Sequence, residues 1–315
     1  MQVTNVKPAM QGRTRSREKK AWSLFFMALP LMALVVLFRY IPLFGWVLSL
    51  FEYKPGTPLF KNTYVGLKYF QMFFTSKDTI RVLVNTFVFS GISFCALILP
   101  LLMAVLLNEI GSARFRKLSQ TMTTLPHFIS WIIVYSIAFN VFGSEGLINQ
   151  VRAFFGAKAS QLGVLNDMDS VYWFQSLLTI WKTLGWNAII YIAAITGIDQ
   201  QLYEAATVDG AGKFRCALHI TIPSLMPTFI VLMLLCVSNF INVGMEQYYV
   251  FKNTFVYDRI EVLDVYTYRV GLQLYDYSYA TAIGIFKSTI SVIMLFIANT
   301  VAKLVRGQEI GRAHV

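Results

Sequence analysis

Residues 82–107 read VLVNTFVFSGISFCALILPLLMAVLL, a stretch without a single Asp, Glu, Lys or Arg. A helix needs about 20 mainly apolar residues to cross the hydrocarbon core of a bilayer. Because lipid offers no hydrogen-bond partner to exposed backbone, such a stretch forms a helix. Its apolar residues run on continuously, without the alternation of a barrel strand. The stretch therefore predicts a transmembrane helix.

Five further runs are also long and mainly apolar, without Asp or Glu, so the sequence predicts an all-α membrane protein with six transmembrane helices. The six runs lie at residues 22–42, 82–107, 122–141, 171–197, 222–243 and 280–303. Charged residues make up 14% of the chain, whereas soluble domains carry about 25%. Because proline interrupts the helical hydrogen-bond ladder, we expect the first helix to break at Pro42, with residues 44–51 bending along the outer surface.

The net charge of +11 is spread over the segments between the apolar runs. Membrane proteins keep their charge there, so we expect a lipid bilayer and no nucleic acid as partner. The polar residues 1–20 hold six Lys or Arg, and the following run is too long for a signal-peptide core. The positive-inside rule therefore predicts a cell-membrane protein with an uncleaved first helix and with both termini in the cytoplasm.

The connection between the fourth and fifth runs, residues 201–223, reads QLYEAATVDGAGKFRCALHITIP. Asp199 just before it can cap a short helix, and Gly210 can end that helix without the penalty of a Cβ atom. We expect a second short helix at residues 213–219, with Pro223 opening the fifth span. Taken alone, these features also fit an ordinary amphipathic connection.

The spacing in this connection resembles the signature loop of binding-protein-dependent ABC importer permeases. That signature is Glu-Ala-Ala, three residues, Gly, nine residues, Ile, one residue and a Leu-Pro pair. The matching residues are Glu204, Ala205, Ala206, Asp209, Gly210, Ile220 and Pro223. Ile222 replaces the usual Leu, which is a conservative departure. The stretches 125–131 and 277–284 resemble the carbohydrate-uptake branch of these permeases, of the polysaccharide or aldouronate type.

The resemblance implies a type I ABC importer permease fold. Residues 81–303 would form its core, with five transmembrane helices and a coupling loop at 199–221. Residues 1–20 would be a cytoplasmic basic tail, and residues 21–80 the first transmembrane helix and an external loop. Residues 304–315 would be a tail, whose last residues, 311–315, continue no pattern of the chain and are expected to be non-native.

The resemblance also implies a set of partners and a coupling mechanism. The partners are a second homologous permease, cytoplasmic ATP-binding subunits, an extracellular or periplasmic solute-binding protein and a carbohydrate substrate. Glu204 would contact a basic residue of the ATPase, Ala205 and Ala206 would lie in its cleft, and Gly210 would make the turn.

The sequence carries no pattern for ATP hydrolysis or other catalysis. Gly212-Lys213 is followed by Phe214, and Thr207 stands where a phosphate-binding loop needs its first glycine. Neither H-E-x-x-H nor G-x-S-x-G occurs. Three cysteines form neither a disulfide framework nor a metal-ligand spacing. We therefore expect no enzyme, no metal and no cofactor, and ATP hydrolysis by a separate subunit.

The alternative is a secondary transporter or channel. None of the six runs contains Asp or Glu, whereas ion-coupled transporters commonly place carboxylates at membrane depth. The candidate pathway-lining residues are Asn140, Lys182, Trp186, Asn187, Tyr191, Asn239, Asn242 and Lys287. For Lys182 and Lys287, a structural contact with carbonyls or with the partner permease remains open. The tyrosines at 248–249 and 275–279 fit an interfacial aromatic belt, a docking surface or a sugar-stacking wall.

Overall fold

The computed structural model describes residue 22 and residues 25–156 and 163–312. Within these ranges every regular element is helical, apart from an isolated bridge between Phe51 and Tyr64. The predicted basic tail, residues 1–20, and the final residues 313–315 lie outside the described residues.

The prediction of six membrane helices is confirmed, because six helical segments of the described residues are long and apolar enough to cross a membrane. They are Phe25–Leu50, Lys77–Asn108, Trp131–Phe154, Met168–Ile195, Lys213–Ser238 and Tyr277–Thr300.

The individual helices are shorter than these segments, since several segments contain turns. After α1 (Phe25–Leu50) they are α2 (Lys68–Thr75), α3 (Lys77–Cys95), α4 (Ile98–Asn108), α5 (Ala113–Thr124), α6 (Trp131–Phe142), α7 (Leu147–Phe154), α8 (Val171–Ile195), α9 (Gln200–Val208), α10 (Lys213–Cys216), α11 (Ile222–Ser238), α12 (Glu246–Phe251), α13 (Tyr257–Ile260), α14 (Leu263–Tyr268) and α15 (Tyr277–Arg312).

Pro42 does not end the first helix, contrary to prediction. A π-helical turn at Val36–Tyr40 leads into a 3₁₀ segment, Ile41–Leu50, that packs against α15. Pro42 lies in the first turn of this 3₁₀ segment. A backbone N–H is not needed there, so the proline is tolerated. Residues 44–50 therefore continue the helix.

The predicted third helix, residues 122–141, is broken. Helix α5 ends at Thr124, a 3₁₀ turn covers Leu125–Phe128, and α6 begins at Trp131. Pro126 cannot donate to the helical ladder. The Ser130 hydroxyl accepts a hydrogen bond from the Ile133 N–H at 3.4 Å and caps the new helix.

The second short helix predicted at 213–219 is not separate from the fifth span. Helix α10 continues through a π-helical turn, Ala217–Thr221, directly into α11. Pro223 lies in the first turn of α11, where its missing N–H costs little. The fifth span thus begins within the loop and ends earlier than predicted, at Ser238.

Buried apolar side chains pack the helices in three clusters. One joins α4, α8 and α11 around Leu101 and Leu225, and a second joins α2, α3, α14 and α15. The third contains Phe89 of α3 and Tyr248 of α12. Tyr248 and Tyr279 are therefore core residues, and the prediction of an interfacial aromatic belt is wrong for these two.

A fully buried carboxylate, Glu261, ties the segment between the last two spans to α3. It accepts hydrogen bonds from Arg81 at 3.2 Å, from Arg269 at 2.8 and 3.1 Å, and from Lys252 at 3.4 Å. The Asn85 amide donates to the main-chain carbonyl of Glu261 at 3.0 Å. Several charge-assisted bonds to one carboxylate give it the partners that burial requires.

The Tyr257 ring lies beside the same cations. Its centroid is 4.7 Å from the Arg81 guanidinium and 5.0 Å from the Lys252 ammonium. Burial raises the pKa of Tyr257, so the phenol stays neutral and adds cation–π contacts without adding charge.

We predict that Glu261→Gln destabilises the protein by about 3 kcal/mol, because it leaves buried cations without their counter-charge. Thermal unfolding of the detergent-solubilised protein measures this. Glu52→Gln is the matched control, since Glu52 pairs at 3.7 Å with Lys68 while both side chains are exposed, and exposed pairs contribute little. Equal shifts for the two variants would contradict the prediction.

Candidate functional site

The loop 199–221 begins with a helix that is capped at both ends. The Asp199 carboxylate accepts a hydrogen bond from the Gln201 N–H at 3.0 Å. At the other end Gly210 has φ +78°, a left-handed conformation that favours glycine. Its N–H bonds the Thr207 carbonyl at 3.0 Å, and the Ala211 N–H bonds the Ala206 carbonyl at 2.8 Å. These bonds form a Schellman motif and fix the direction in which the chain leaves α9.

Two contacts tie this loop to the membrane helices. The hydroxyls of Tyr203 and Thr221 share a hydrogen bond of 2.9 Å, which joins α9 to the start of the fifth span. The Lys213 ammonium donates to the main-chain carbonyl of Glu109 at 3.4 Å, just after α4. The first contact thus links α9 to the fifth span, and the second links the start of α10 to the end of α4.

Most of the predicted coupling residues are accessible. Glu204, Ala205, Asp209, Gly210 and Pro223 are exposed, while Ala206 and Ile220 are partly buried.

The surface around them is unusually apolar for a loop. The side chain of Val208 is 88% exposed and that of Phe214 is 82% exposed. Leu202 and Leu218 are also exposed. These exposed apolar side chains make the loop a candidate surface for a protein partner.

Three predicted pathway residues line one cavity of about 330 Å³ between α4, α8 and α11. They are Asn187, Tyr191 and Asn239, and Thr179 and Thr183 line the cavity beside them. Tyr191 is only 1% exposed, and its hydroxyl has no hydrogen-bond partner among the described residues. An unpaired buried hydroxyl costs about 1–3 kcal/mol, so this group is available to a polar molecule in the cavity.

Two other predicted residues, Asn242 and Lys287, line a second cavity of about 830 Å³. This cavity lies between α14, α15 and residues 242–245. The Asn242 amide donates to the Ser291 hydroxyl at 3.0 Å, and the Lys287 ammonium pairs with the Asp264 carboxylate. The structure thus divides five of the candidates between two cavities.

Lys182, Trp186 and Asn140 line neither of these two cavities. The buried Lys182 ammonium donates to the carbonyls of Pro126 at 3.3 Å, His127 at 3.0 Å and Ile129. It thereby adds hydrogen bonds to carbonyls at the break between α5 and α6, of which the Pro126 carbonyl also accepts from the Ile129 N–H at 3.2 Å.

The other two side chains also make local contacts. The Trp186 ring stacks on His127 with centroids 4.5 Å apart and an interplanar angle of 4°. The Asn140 amide donates to the Ser136 carbonyl of its own helix at 2.7 Å.

Asp264 lines the second cavity, and sequence reasoning missed it. It lies outside the apolar runs, but its segment folds back against α15 and brings it to Lys287. Its other oxygen accepts a hydrogen bond from the Gly244 N–H at 3.0 Å. Gly244, Asp264 and Lys287 are distant from one another in the chain, so no local sequence pattern predicts their contact.

Gly185 permits a close approach of α8 to the backbone at the break. A Cβ atom at this position would collide with the main-chain carbonyl of Thr123. Both groups are backbone or rigidly attached to it, so neither can move aside at low cost.

We predict that Gly185→Ala lowers stability by about 1–3 kcal/mol through overpacking. Gly91→Ala, also within a membrane helix, should be neutral or slightly stabilising, because a Cβ atom there meets nothing within 4 Å. Unfolding temperatures of the two purified variants check this. A stable Gly185→Ala protein would show that the two helices are not held together as closely as described.

Six apolar helices that enclose cavities lined by both polar and apolar side chains define a membrane transport subunit. Residues 96–307 match the family model described as binding-protein-dependent transport system inner membrane component, and the chain belongs to this family.

Two relatives from Bacillus subtilis (strain 168) are similar over most of their length. Protein LplB is 37% identical, with 89% of this chain and 88% of the relative covered. The polygalacturonan/rhamnogalacturonan transport system permease protein YteP is 38% identical, with 89% and 87% covered. These similarities favour an importer subunit over a secondary transporter or channel.

A solved structure shares the fold. It is a chain of a bacterial alginate ABC transporter in complex with an alginate pentasaccharide-bound periplasmic protein. The TM-score is 0.83 at 30% sequence identity, with 92% of this chain and 97% of that chain covered. The chain therefore has the fold of an ABC importer permease and is a transport subunit rather than an enzyme.

Proposed function

We propose that this chain carries a carbohydrate across the cell membrane and couples this transport to separate cytoplasmic ATP-binding subunits through the loop 199–221. A second homologous permease and an external solute-binding protein complete the transporter. The observation that carries the proposal is the loop itself, which is capped, exposed and bonded to two membrane helices. We infer that the transported solute is a carbohydrate because the relative YteP and the alginate transporter are both described as transporters of sugar polymers.

The contacts of the loop support a route for the coupling. A nucleotide-driven closure of the ATPase would push on α9 where Glu204 and Ala205 are exposed. The bond from Tyr203 would pass this movement to α11, and the bond from Lys213 would pass it to α4. These helices, together with α8, enclose the 330 Å³ cavity. A change at the loop would therefore change the shape of the cavity.

Two observations lead us to place both termini in the cytoplasm: the positive charge of two connections and one contact between them. The connection after α4 carries Arg114, Arg116 and Lys117, and Lys213 of the loop bonds the Glu109 carbonyl at its start. The two basic connections thus lie together on one face, as the positive-inside rule requires for the cytoplasmic side. Labelling of a cysteine introduced at Val208 from the external side of intact cells would contradict this orientation.

Cavity-lining Asn187, Tyr191 and Asn239 are the pathway residues that we propose. Amide and hydroxyl groups on an otherwise apolar wall suit a solute with many hydroxyls, because they orient it by hydrogen bonds while the apolar surface packs against its ring.

We predict that Glu204→Lys abolishes the stimulation of ATP hydrolysis by transported saccharide without lowering the amount of permease in the membrane. Glu204 is exposed, so its replacement does not disturb packing, but it reverses the charge on the docking surface. ATPase activity of the assembled, reconstituted transporter measures the effect, with oligogalacturonate, alginate oligosaccharide and arabino-oligosaccharide as probes.

Glu52→Lys serves as the control for this charge change. Glu52 is also exposed, and it lies between the first and second spans, which we place on the external side, away from the ATPase. Normal stimulation in Glu204→Lys, or equal losses in both variants, would contradict the docking role.

We predict that Tyr191→Phe lowers uptake about 3–10-fold without lowering the unfolding temperature. The hydroxyl bonds no described protein group, so its removal affects only what enters the cavity, and one hydrogen bond contributes about 0.5–1.5 kcal/mol. Tyr135→Phe makes the same change outside this cavity and should transport normally. Unaltered uptake by Tyr191→Phe would remove the residue from the pathway.

A further inference from the structure

A stripe of polar and small residues runs along one face of the last membrane helix. Its members are Tyr277, Thr281, Gly284, Ser288 and Ser291, and all of them line the 830 Å³ cavity. Their spacing of three and four residues keeps them on one side of α15 over about 21 Å. That length is most of the thickness of a hydrocarbon core.

The opposite wall of this cavity is also polar. Asn242, Asp264, Thr267 and Tyr268 line it. A tyrosine ring combines an apolar face with a polar edge, and amide and hydroxyl groups fix the orientation of a ligand. At about 830 Å³ the cavity lies within the size range of small-molecule sites.

The only charged pair on the walls of the two described cavities is Lys287 with Asp264. Their side chains are 15% and 17% exposed. A charge within a membrane span needs a partner or a water-filled path. Asp264 has a second partner, the Gly244 N–H at 3.0 Å, whereas Lys287 pairs with no second acidic residue among those described.

The two groups therefore differ in what they lose when the pair opens. Asp264 keeps a hydrogen bond to the backbone, while Lys287 is left as an uncompensated ammonium at the cavity wall. An anionic group that enters the cavity restores the missing charge, because an ammonium recognises a carboxylate as a point charge.

We infer that the 830 Å³ cavity binds a carboxylate-bearing saccharide unit, with Lys287 pairing the carboxylate of the ligand and Asp264 acting as the resting counter-ion. This inference rests on the proposed function, since it assumes that saccharides enter the membrane part of the chain. Lys287 then determines specificity, because a neutral sugar cannot displace Asp264 from it.

Protection of a single thiol tests the inference. In the assembled transporter, Cys95, Cys216 and Cys236 are replaced by Ser, and Ser288→Cys introduces one thiol on the cavity wall. Its modification by N-ethylmaleimide, an uncharged reagent, is followed with trigalacturonate or its methyl ester as the probe. We expect trigalacturonate to protect the thiol at about 10-fold lower concentration than the ester, which corresponds to about 1.4 kcal/mol.

The charge variants separate recognition from structure. Asp264→Asn should strengthen protection by trigalacturonate, because it frees Lys287 while an amide oxygen can still accept the Gly244 N–H. The double variant Lys287→Met with Asp264→Asn leaves no unpaired charge and should remove the difference between the two probes. Thr289→Cys is the positional control, since Thr289 is exposed on the same helix and does not line the cavity.

Three results would overturn the inference: equal protection by both probes, a preference for trigalacturonate that persists in the double variant, or no modification of the thiol at position 288. The experiment needs neither ATP hydrolysis nor uptake. Its failure is therefore distinct from a failure of coupling in the Glu204→Lys variant, which bears on the proposed function alone.

Discussion

Every backbone polar group of a membrane helix needs its partner within the protein, and this constraint decides where the fold can bend. The chain breaks between α5 and α6, at the point where the Lys182 ammonium donates to three main-chain carbonyls. Gly185, one turn along α8, lets the backbone of Thr123 approach closely enough for that to happen. The lysine that the sequence suggests as a pathway residue thus serves the architecture.

The same constraint separates what hydropathy can predict from what it cannot. Six long apolar runs in the sequence become six spans, because burial in lipid depends on composition alone. Whether a proline interrupts a helix is harder to predict from the sequence. Pro126 accompanies a true break, whereas Pro42 lies in the first turn of a 3₁₀ segment and the helix continues. A proline forbids one hydrogen bond, and the surrounding helices decide whether another group replaces it.

Within the candidate site, the sequence predicted the local backbone structure but not the contacts between distant segments. The spacing around Gly210 predicts a helix, a left-handed residue and a turn, and the structure has all three. Asp264 and Glu261 gave no signal, because no local spacing links them to their partners: Lys287 lies 23 residues from Asp264, and Arg81 and Arg269 lie 180 and 8 residues from Glu261. From the sequence, a carboxylate in a connecting segment is expected to be exposed to solvent. The fold instead places Asp264 against Lys287 and Glu261 among several cations. Pairing between distant segments is a property of the packing, and one sequence alone does not display it.

Helix α11 and the residues that follow it connect the coupling loop to both cavities. The Tyr203–Thr221 bond lies at its cytoplasmic start in the orientation that we propose, Asn239 at its end lines the smaller cavity, and Asn242 lines the larger one. The larger cavity is bounded on its other side by Asp264, whose segment Glu261 fastens to α3. The wall of the larger cavity that carries Asn242 is thus joined to the loop, and the wall that carries Asp264 is anchored to α3. In the coupling route that we propose, a movement of α9 would change the spacing between these walls through α11, and for the smaller cavity through α4 as well.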